Sequence, residues 1–344
     1  MNFCSDNAAG ASNAVMDSLV KANEGHAMPY GADPLTLGVE DKIRDIFECD
    51  AQVFLVSTGT AANSLALSLM TPSWGGVFCH PKSHIEVDEC GAPEFFTGGA
   101  KLIHLDNDNG KITAGGLREG WKDIEKTVHQ VQPSALSITQ ASEAGTVYQL
   151  NDIRAISEQA REYNLTLHMD GARFTNALVS LDCTPAEMTW KAGVDILSFG
   201  ASKNGCMAAE AVAIFNHDLA ETMQFRRKRA GHLFSKMRFI SAQFDAYLDN
   251  DLWLNNARHA NSMAAQLYKG LASIKGASFK TPVESNEIFV DLPNTVLEGL
   301  EADGFEFYRW GEVTTTLIRL VTAFNTNPEH VDAFITSAHK HAGS

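Results

Sequence analysis

One stretch of the chain runs as an apolar, β-rich segment, breaks off into small residues and then presents a single amine: Ile196-Leu197-Ser198-Phe199-Gly200-Ala201-Ser202-Lys203. A lysine placed just past a buried strand loses part of its hydration, which makes a neutral, nucleophilic amine accessible. Such an amine forms Schiff bases with carbonyl compounds. Taken alone, any of the chain's 27 lysines and arginines is more simply a solvated surface cation. Two other stretches favour the chemical reading. Leu165-Thr166-Leu167-His168-Met169-Asp170-Gly171-Ala172-Arg173 reads as a second buried strand ending in a carboxylate, although Asp-Gly is also a turn signal and Asp an ordinary helix cap. In an open parallel α/β sheet, ligands bind beyond the carboxyl ends of the strands, so Asp170 and Lys203 on neighbouring strands would face one crevice. A lysine to hold an aldehyde carbon and a carboxylate to keep a pyridine nitrogen protonated are what pyridoxal 5'-phosphate asks of a protein.

The third stretch is Val53-Phe54-Leu55-Val56-Ser57-Thr58-Gly59-Thr60-Ala61-Ala62-Asn63, a strand running through hydroxyl residues and glycine into an alanine-rich helix. Free amides at such a helix start, with hydroxyls beside them, make a phosphate seat. The alternative is an ordinary capped helix. The segment is neither a Walker loop nor a three-glycine dinucleotide fingerprint. Phosphate seat, Asp170 and Lys203, in this chain order, are more specific together than any one of them.

At this point the sequence resembles the pyridoxal-phosphate threonine aldolases of the aspartate aminotransferase (type I) fold, particularly the low-specificity L-threonine aldolases. The resemblance spans nearly the whole chain, through Phe3-Cys4-Ser5-Asp6-Asn7, Tyr30-Gly31-Ala32-Asp33-Pro34, Ser57 to Asn63, His168-Met169-Asp170-Gly171-Ala172-Arg173, Ser202-Lys203-Asn204-Gly205 and Ile318-Arg319-Leu320-Val321-Thr322. It implies an α/β fold: a large domain with a mainly parallel sheet flanked by helices, over residues 1–250, and a smaller C-terminal α+β domain over 251–344.

It also implies roles. Lys203 carries the cofactor and Asp170 pairs with its pyridine nitrogen, while Gly59, Thr60, Ser202, Arg173 and Lys236 contact it, Lys236 being favoured over Arg238 as the basic partner of the phosphate. His84 stacks on the ring and lies near the substrate hydroxyl. Ser5, Arg173 and Arg319 hold the substrate carboxylate, and Tyr30 stands close to the cofactor phosphate, often across a subunit boundary. Arg319 also asks for a partner on elementary grounds, because a guanidinium between apolar neighbours must be paired or face a cleft. In one respect the chain departs from the pattern: many threonine aldolases place Glu-Asn-Thr-His after the strand near 139, where this chain has Gln140-Ala141-Ser142-Glu143. The second active-site histidine is therefore missing, with Gln140 or Glu143 as candidate polar contacts. The activity implied is retro-aldol cleavage of L-threonine, L-allo-threonine and related β-hydroxy-α-amino acids to glycine and an aldehyde. The competing readings are β-elimination or transamination on the same cofactor, an aldolase preferring aromatic substrates such as phenylserine, and a non-catalytic α/β binding protein.

Composition agrees with such a protein. The 344 residues, 44% hydrophobic, suffice for a large core, and a net charge of −15 argues against nucleic acid. Arg226-Arg227-Lys228-Arg229 is the one basic cluster, readable as a solvated helix face or as charge near an anionic ligand. Six cysteines without ligand-like spacing read as reduced and argue against a metal or disulfide framework. No leader and no membrane-length apolar run stands out, so a cytoplasmic protein is expected, and the resemblance adds a homo-oligomer, a dimer of dimers.

The elements that must position these residues follow from periodicity. Helices are expected from 13 to about 23 with Val15, Leu19 and Val20 inward, over 37–49, 61–70, 117–130 and 150–163, through 184–188, in one long region over 218–248, over 252–273, and from 328 onward. Strands are expected over 76–79, 101–105, 135–140, 211–215, near 279, over 288–290 and over 317–321, besides the three that end at the candidate site. The β-α-β alternation predicts the parallel sheet.

Overall fold

The structure, a computed structural model, describes residues 1–105, 107–311 and 315–343. Two helices lead in. α1 (Asn13–Ala22) follows Ser12 and buries Val15. Val20, expected inward, is 71% exposed, because five positions on from Val15 it has turned to the far side of the helix. α2 (Pro34–Phe47) starts with Asp33 Oδ1 accepting from the Thr36 amide and with Pro34 at its first position, and it buries the stripe Val39, Ile43 and Phe47.

The chain then alternates β1 (Gln52–Val56), α3 (Gly59–Met70), β2 (Gly75–Cys79), α4 (His84–Val87), α5 (Ala92–Thr97), β3 (Lys101–His104), α6 (Ala114–Lys122), β4 (Gln132–Thr139), α7 (Leu150–Glu162), β5 (Thr166–Gly171), α8 (Phe174–Leu181), α9 (Pro185–Met188), β6 (Ile196–Gly200) and β7 (Glu210–Ile214). The seven strands form one sheet in the order β1-β7-β6-β5-β4-β2-β3. β7 runs antiparallel to β1 and β6, and the pairings of β2 with β3, β2 with β4, β4 with β5 and β5 with β6 are parallel. All five residues of β2, β6 and β7 are buried, as sheet strands covered on both faces require.

Two of the expected helices end or divide differently, and α5, α8 and a later helix over Asn294–Ala302 are not among those expected. α6 ends at Lys122 rather than near 130. Beyond it, the Gln130 and Gln132 side chains bond the backbone at Asp123, Glu125 and Thr127, offering the chain a local alternative to helix. The long region over 218–248 divides into α10 (Met223–Arg229) and α11 (Arg238–Leu248), separated by a turn with Gly231 at φ +80°.

α12 (Leu252–Leu271) leads into a smaller sheet of β8 (Ser278–Phe279), β9 (Glu287–Asp291), β10 (Tyr308–Arg309) and β11 (Leu317–Val321), ordered β10-β11-β9-β8 and antiparallel throughout. α13 (Asn294–Ala302) and α14 (Pro328–Ala342) cover it. The N-terminal residues cross to this second core: Phe3 packs edge-on against Phe334 with ring centroids 5.2 Å apart, and Asn2 bridges to Glu306. That anchor carries Asp6 and Asn7 toward the carboxyl ends of the large sheet.

Candidate active site

Asp170 is the penultimate residue of β5 and pairs in register with Ser198 of the parallel neighbour β6, while Lys203 sits in the single helical turn that follows β6. The two chains can turn away from the sheet side by side because Gly200 has no side chain. A Cβ there would lie 2.8 Å from the Ala172 carbonyl oxygen and 2.9 Å from that of Gly171. Beside them α3 begins, with Thr58 Oγ1 accepting from the Ala61 amide at 3.2 Å. One cavity of about 350 Å³ is lined by Thr58, Gly59, Thr60, His84, Asp170, Ser202 and Lys203, together with Asn7, Ser57, Asn63, Ala172, Met207, Ala208 and Glu210. Ser202 Oγ accepts from the Ala209 amide at 3.1 Å, which holds the lysine turn against the start of β7.

Behind the cavity runs a hydrogen-bonded chain that periodicity does not reveal. Asp170, 2% exposed, accepts from the Ala172 amide at 3.0 Å and from Asn63 Nδ2 at 2.9 Å. The same Asn63 amide donates its other proton to Glu89 Oε1 at 2.8 Å, and Glu89 Oε1 takes His84 Nδ1 at 2.8 Å. With Nδ1 committed, Nε2 is the ring nitrogen His84 has available for a ligand. The Glu89 hydrogen bond raises the His84 imidazole above its ordinary value against the opposing effect of burial, with Asp170 and Glu143 adding to the rise. Glu89 is itself pushed up by burial, which the His84 and Asn63 hydrogen bonds only partly offset.

Two more buried ionisable groups flank Asp170 and Lys203. Burial pushes the Glu210 carboxyl up to about 7 against the pull of the Ser202 hydrogen bond and the Lys203 charge. His168 lies wholly buried two residues before Asp170, its ring nitrogens bonded to Ser137 Oγ at 2.9 Å and Ser198 Oγ at 3.0 Å. Burial drives its imidazole down to about 4, so it is a neutral packing element.

Six of the residues singled out in the sequence, Gly59, Thr60, His84, Asp170, Ser202 and Lys203, thus meet at one cavity. Five do not line it. Ser5 accepts from the Asn7 amide as a cap and faces a separate cleft with Asn2, Ala8 and His330, leaving Asn7 as the N-terminal residue at the cavity. Tyr30 is 48% exposed, with Lys228 Nζ 4.7 Å over its ring. Lys236 is exposed in the turn before α11.

Arg173, expected at the substrate carboxylate and the cofactor, lies outside the cavity lining on partners of its own chain. Its Nε and Nη2 donate to the two oxygens of Asp6 at 2.7 and 3.0 Å, and Nη1 lies 3.3 Å from Glu287 Oε2. A guanidinium so occupied holds the N-terminal loop over the site. Burial alone would raise the Asp6 carboxyl, but Arg173 and Lys203 outweigh it and hold it below its ordinary value. Arg319 is only partly committed: Nη2 donates to the Cys4 carbonyl at 3.1 Å and the guanidinium stacks on Trp310 at 4.7 Å, while its buried Nε has no hydrogen-bond partner among the described residues. Of the two replacements considered for the missing histidine, Gln140 is fully buried and exchanges hydrogen bonds with the Tyr148 backbone. Glu143 lies close enough to His84 to raise it.

The sequence reading missed Asn7, Asn63, Glu89 and Glu210. A signal existed for Glu210, since a carboxylate opening the apolar run Ala211-Val212-Ala213-Ile214 needs a reason. Asn63 and Glu89 had none, because their partners lie on other elements.

The donor set suits pyridoxal phosphate. It offers one primary amine, a carboxylate fixed by two hydrogen bonds, an imidazole, and the open amides and hydroxyls of a 12-residue helix start, around a space of about 350 Å³. Nothing lies within 4 Å of where a Gly59 side chain would project, so that helix start is open to a phosphate.

The chain belongs to the beta-eliminating lyase family, whose model matches residues 2–295. It is 45% identical to the low specificity L-threonine aldolase of a Pseudomonas species over 306 residues, 89% of this chain and 88% of that one. The low specificity L-threonine aldolase of Pseudomonas aeruginosa is likewise 45% identical over 309 residues, 89% and 88% of the two chains. Among solved structures, the threonine aldolase of Leishmania major superposes with a TM-score of 0.94 at 28% identity, over 99% of each chain.

Proposed function

We propose that the chain is a pyridoxal-phosphate-dependent carbon–carbon lyase that cleaves L-threonine, L-allo-threonine and related β-hydroxy-α-amino acids to glycine and an aldehyde. The observation that carries the reading is the convergence of Lys203, Asp170 and the start of α3 on one cavity at the carboxyl ends of β5, β6 and β1. Lys203 would hold the cofactor covalently, Asp170 would keep its pyridine nitrogen protonated, and the Gly59 and Thr60 amides with Ser202 would seat its phosphate. When bound, pyridoxal phosphate supplies an electron sink for the bond broken at the substrate's α-carbon.

The remaining work falls to the chain itself. His84 Nε2 takes the proton from the β-hydroxyl, which releases the aldehyde, and the Glu89 and Asn63 chain keeps the ring in the orientation that presents that nitrogen. Asn7, brought over the cavity by the Arg173–Asp6 pair, is the N-terminal group available to the substrate. Arg319, fixed on Trp310 and Cys4, would supply positive charge toward the substrate carboxylate from the small-domain side. Tyr30 and Lys236 lie outside the cavity of their own chain, and in a homo-oligomer built as a dimer of dimers they are the residues available to a neighbour's site. Among the described residues, no helix is long and apolar enough to cross a membrane.

The test is to add L-threonine to the purified protein supplied with pyridoxal phosphate and to identify the products. Glycine with acetaldehyde is expected, together with the yellow colour of lysine-bound cofactor, and both vanish in Lys203→Ala. Ammonia with a keto acid would move the chain to the eliminating lyases. A protein that stays colourless with added pyridoxal phosphate would overturn the reading and favour a binding protein.

A further inference from the structure

Outside this site, one cluster of side chains has the composition of a metal centre. Cys79 and His104 are the last residues of the parallel neighbours β2 and β3 and stand opposite each other in register. α4 crosses above them and lowers Glu86 onto the pair, its carboxylate 3.1 Å from His104 Nε2. The thiol of Cys79, the Glu86 carboxylate and a His104 ring nitrogen all lie within 4.8 Å of one another, and among the described residues no other group of three or more such side chains does so.

The three differ in exposure in a way that suits capture of an ion. The His104 side chain is 47% exposed and that of Glu86 27%, while Cys79 is fully buried beneath them. Hard ions such as Mg²⁺ and Ca²⁺ take oxygen ligands, whereas a thiol with imidazole and carboxylate selects a borderline-soft divalent ion. Bonds of about 2.3 Å to sulfur and about 2.0–2.2 Å to nitrogen and oxygen place tetrahedral ligand atoms roughly 3.3–3.7 Å apart. The Glu86–His104 edge already has nearly that length, so small rotations of Cys79 and Glu86 would close the set, with the fourth position left to water.

We propose that Cys79, Glu86 and His104 form a binding site for Zn²⁺ or an ion of its class, distinct from the cofactor cavity. On binding, the Cys79 thiol loses its proton to solvent and the sulfur bonds the metal, while no electron is exchanged. The site has a direct route to the chemistry, because Glu86 stands two residues after His84 on the same short helix. Clamping Glu86 onto β2 and β3 would set the position of that helix.

The proposal stands apart from the lyase reading, and its test is binding rather than turnover. Isothermal titration of the full chain, loaded with pyridoxal phosphate, with ZnCl₂ should show one site per chain of micromolar affinity or tighter. Cys79→Ser should abolish it, and His104→Ala and Glu86→Gln should each weaken it at least about tenfold. Cys90→Ser, which changes an exposed thiol outside the cluster, should leave it unchanged. Cobalt(II) in place of zinc should give the ultraviolet thiolate-to-cobalt charge-transfer band in wild type and not in Cys79→Ser. A wild type that fails to bind zinc, or variants at the three positions that bind as tightly as wild type, would overturn it and leave an ion pair over a core thiol. Because His104 and Glu86 are at least partly exposed, their variants keep the test valid if Cys79→Ser does not fold.

Discussion

Asn63 is the residue whose removal best tests how the site is held. Its amide donates to Glu89 Oε1 at 2.8 Å and to Asp170 Oδ2 at 2.9 Å, and it is 2% exposed, so water does not replace it. Its own oxygen has no hydrogen-bond partner among the described residues, so Asn63→Ala deletes the two donated bonds and little else polar. A hydrogen bond to a charged group is worth about 1.5–3 kcal/mol, which puts the loss at roughly 3–6 kcal/mol. Asn63→Asp should be worse at pH 8, since it deletes both donors and sets a third carboxylate between two others, and it should recover toward Asn63→Ala at pH 5 as one of the three takes a proton. Urea unfolding of the three proteins at both pH values measures this. Turnover should fall about 10²-fold in Asn63→Ala, because His84 keeps its partner but that partner is no longer anchored. An Asn63→Ala protein within about 1 kcal/mol of wild type, or an Asn63→Asp protein of equal stability at pH 8, would refute the view that this amide ties the two carboxylates together.

Three further outcomes follow from the buried ionisable groups. Asp6→Ala should cost roughly 3–5 kcal/mol in urea unfolding, because it strips one partner from a buried ion pair. In wild type the contribution of Asp6, whose folded value is depressed, is present above its unfolded pKa of about 3.9 and is lost as pH falls through the folded value, a loss that Asp6→Ala should not show. His168→Gln should flatten the acid sensitivity of stability. The unfolded chain takes up a proton near pH ~6.5 while the buried ring waits until about 4, so wild type loses up to about 3 kcal/mol on going from pH 7 to 4, and an unchanged slope in the variant would count against a neutral His168. Glu89→Gln should lower turnover by about 10²-fold with little change in KM, since Glu89 touches His84 and not the ligand space, and a variant altered only in KM would contradict that placement.

The elements that carry the site were legible because their signals are local. An apolar run ending in Gly-Ala-Ser-Lys, another ending in Met-Asp-Gly and a third ending in Ser-Thr-Gly-Thr are each set by a few consecutive residues. Strand ends, helix starts and β-α-β alternation then place all three along one edge of a sheet. Lys203, Asp170, Gly59, Thr60 and Ser202 accordingly come together with the folding of the large domain, whatever the surrounding partners. His84 joined them on the strength of resemblance, since a histidine at the start of a four-residue helix has no periodicity to announce it.

What only the tertiary structure decided is the pairing of charges. The resemblance assigns Arg173 and Arg319 to a substrate carboxylate, and the sequence itself asks only that Arg319 be paired or face a cleft. The folded chain supplies Asp6 and Glu287 to the first, and Trp310 and the Cys4 carbonyl to the second. Ser5 and Asn7 are two residues apart, yet which of them reaches the cavity depends on the Phe3 anchor in the small core and on the Arg173–Asp6 pair. Asn63 entered the site the same way, through Glu89 and Asp170, 26 and 107 residues further along the chain. A buried charge must find its counterpart wherever the fold provides one, and that choice is made by packing, which no stretch of sequence contains.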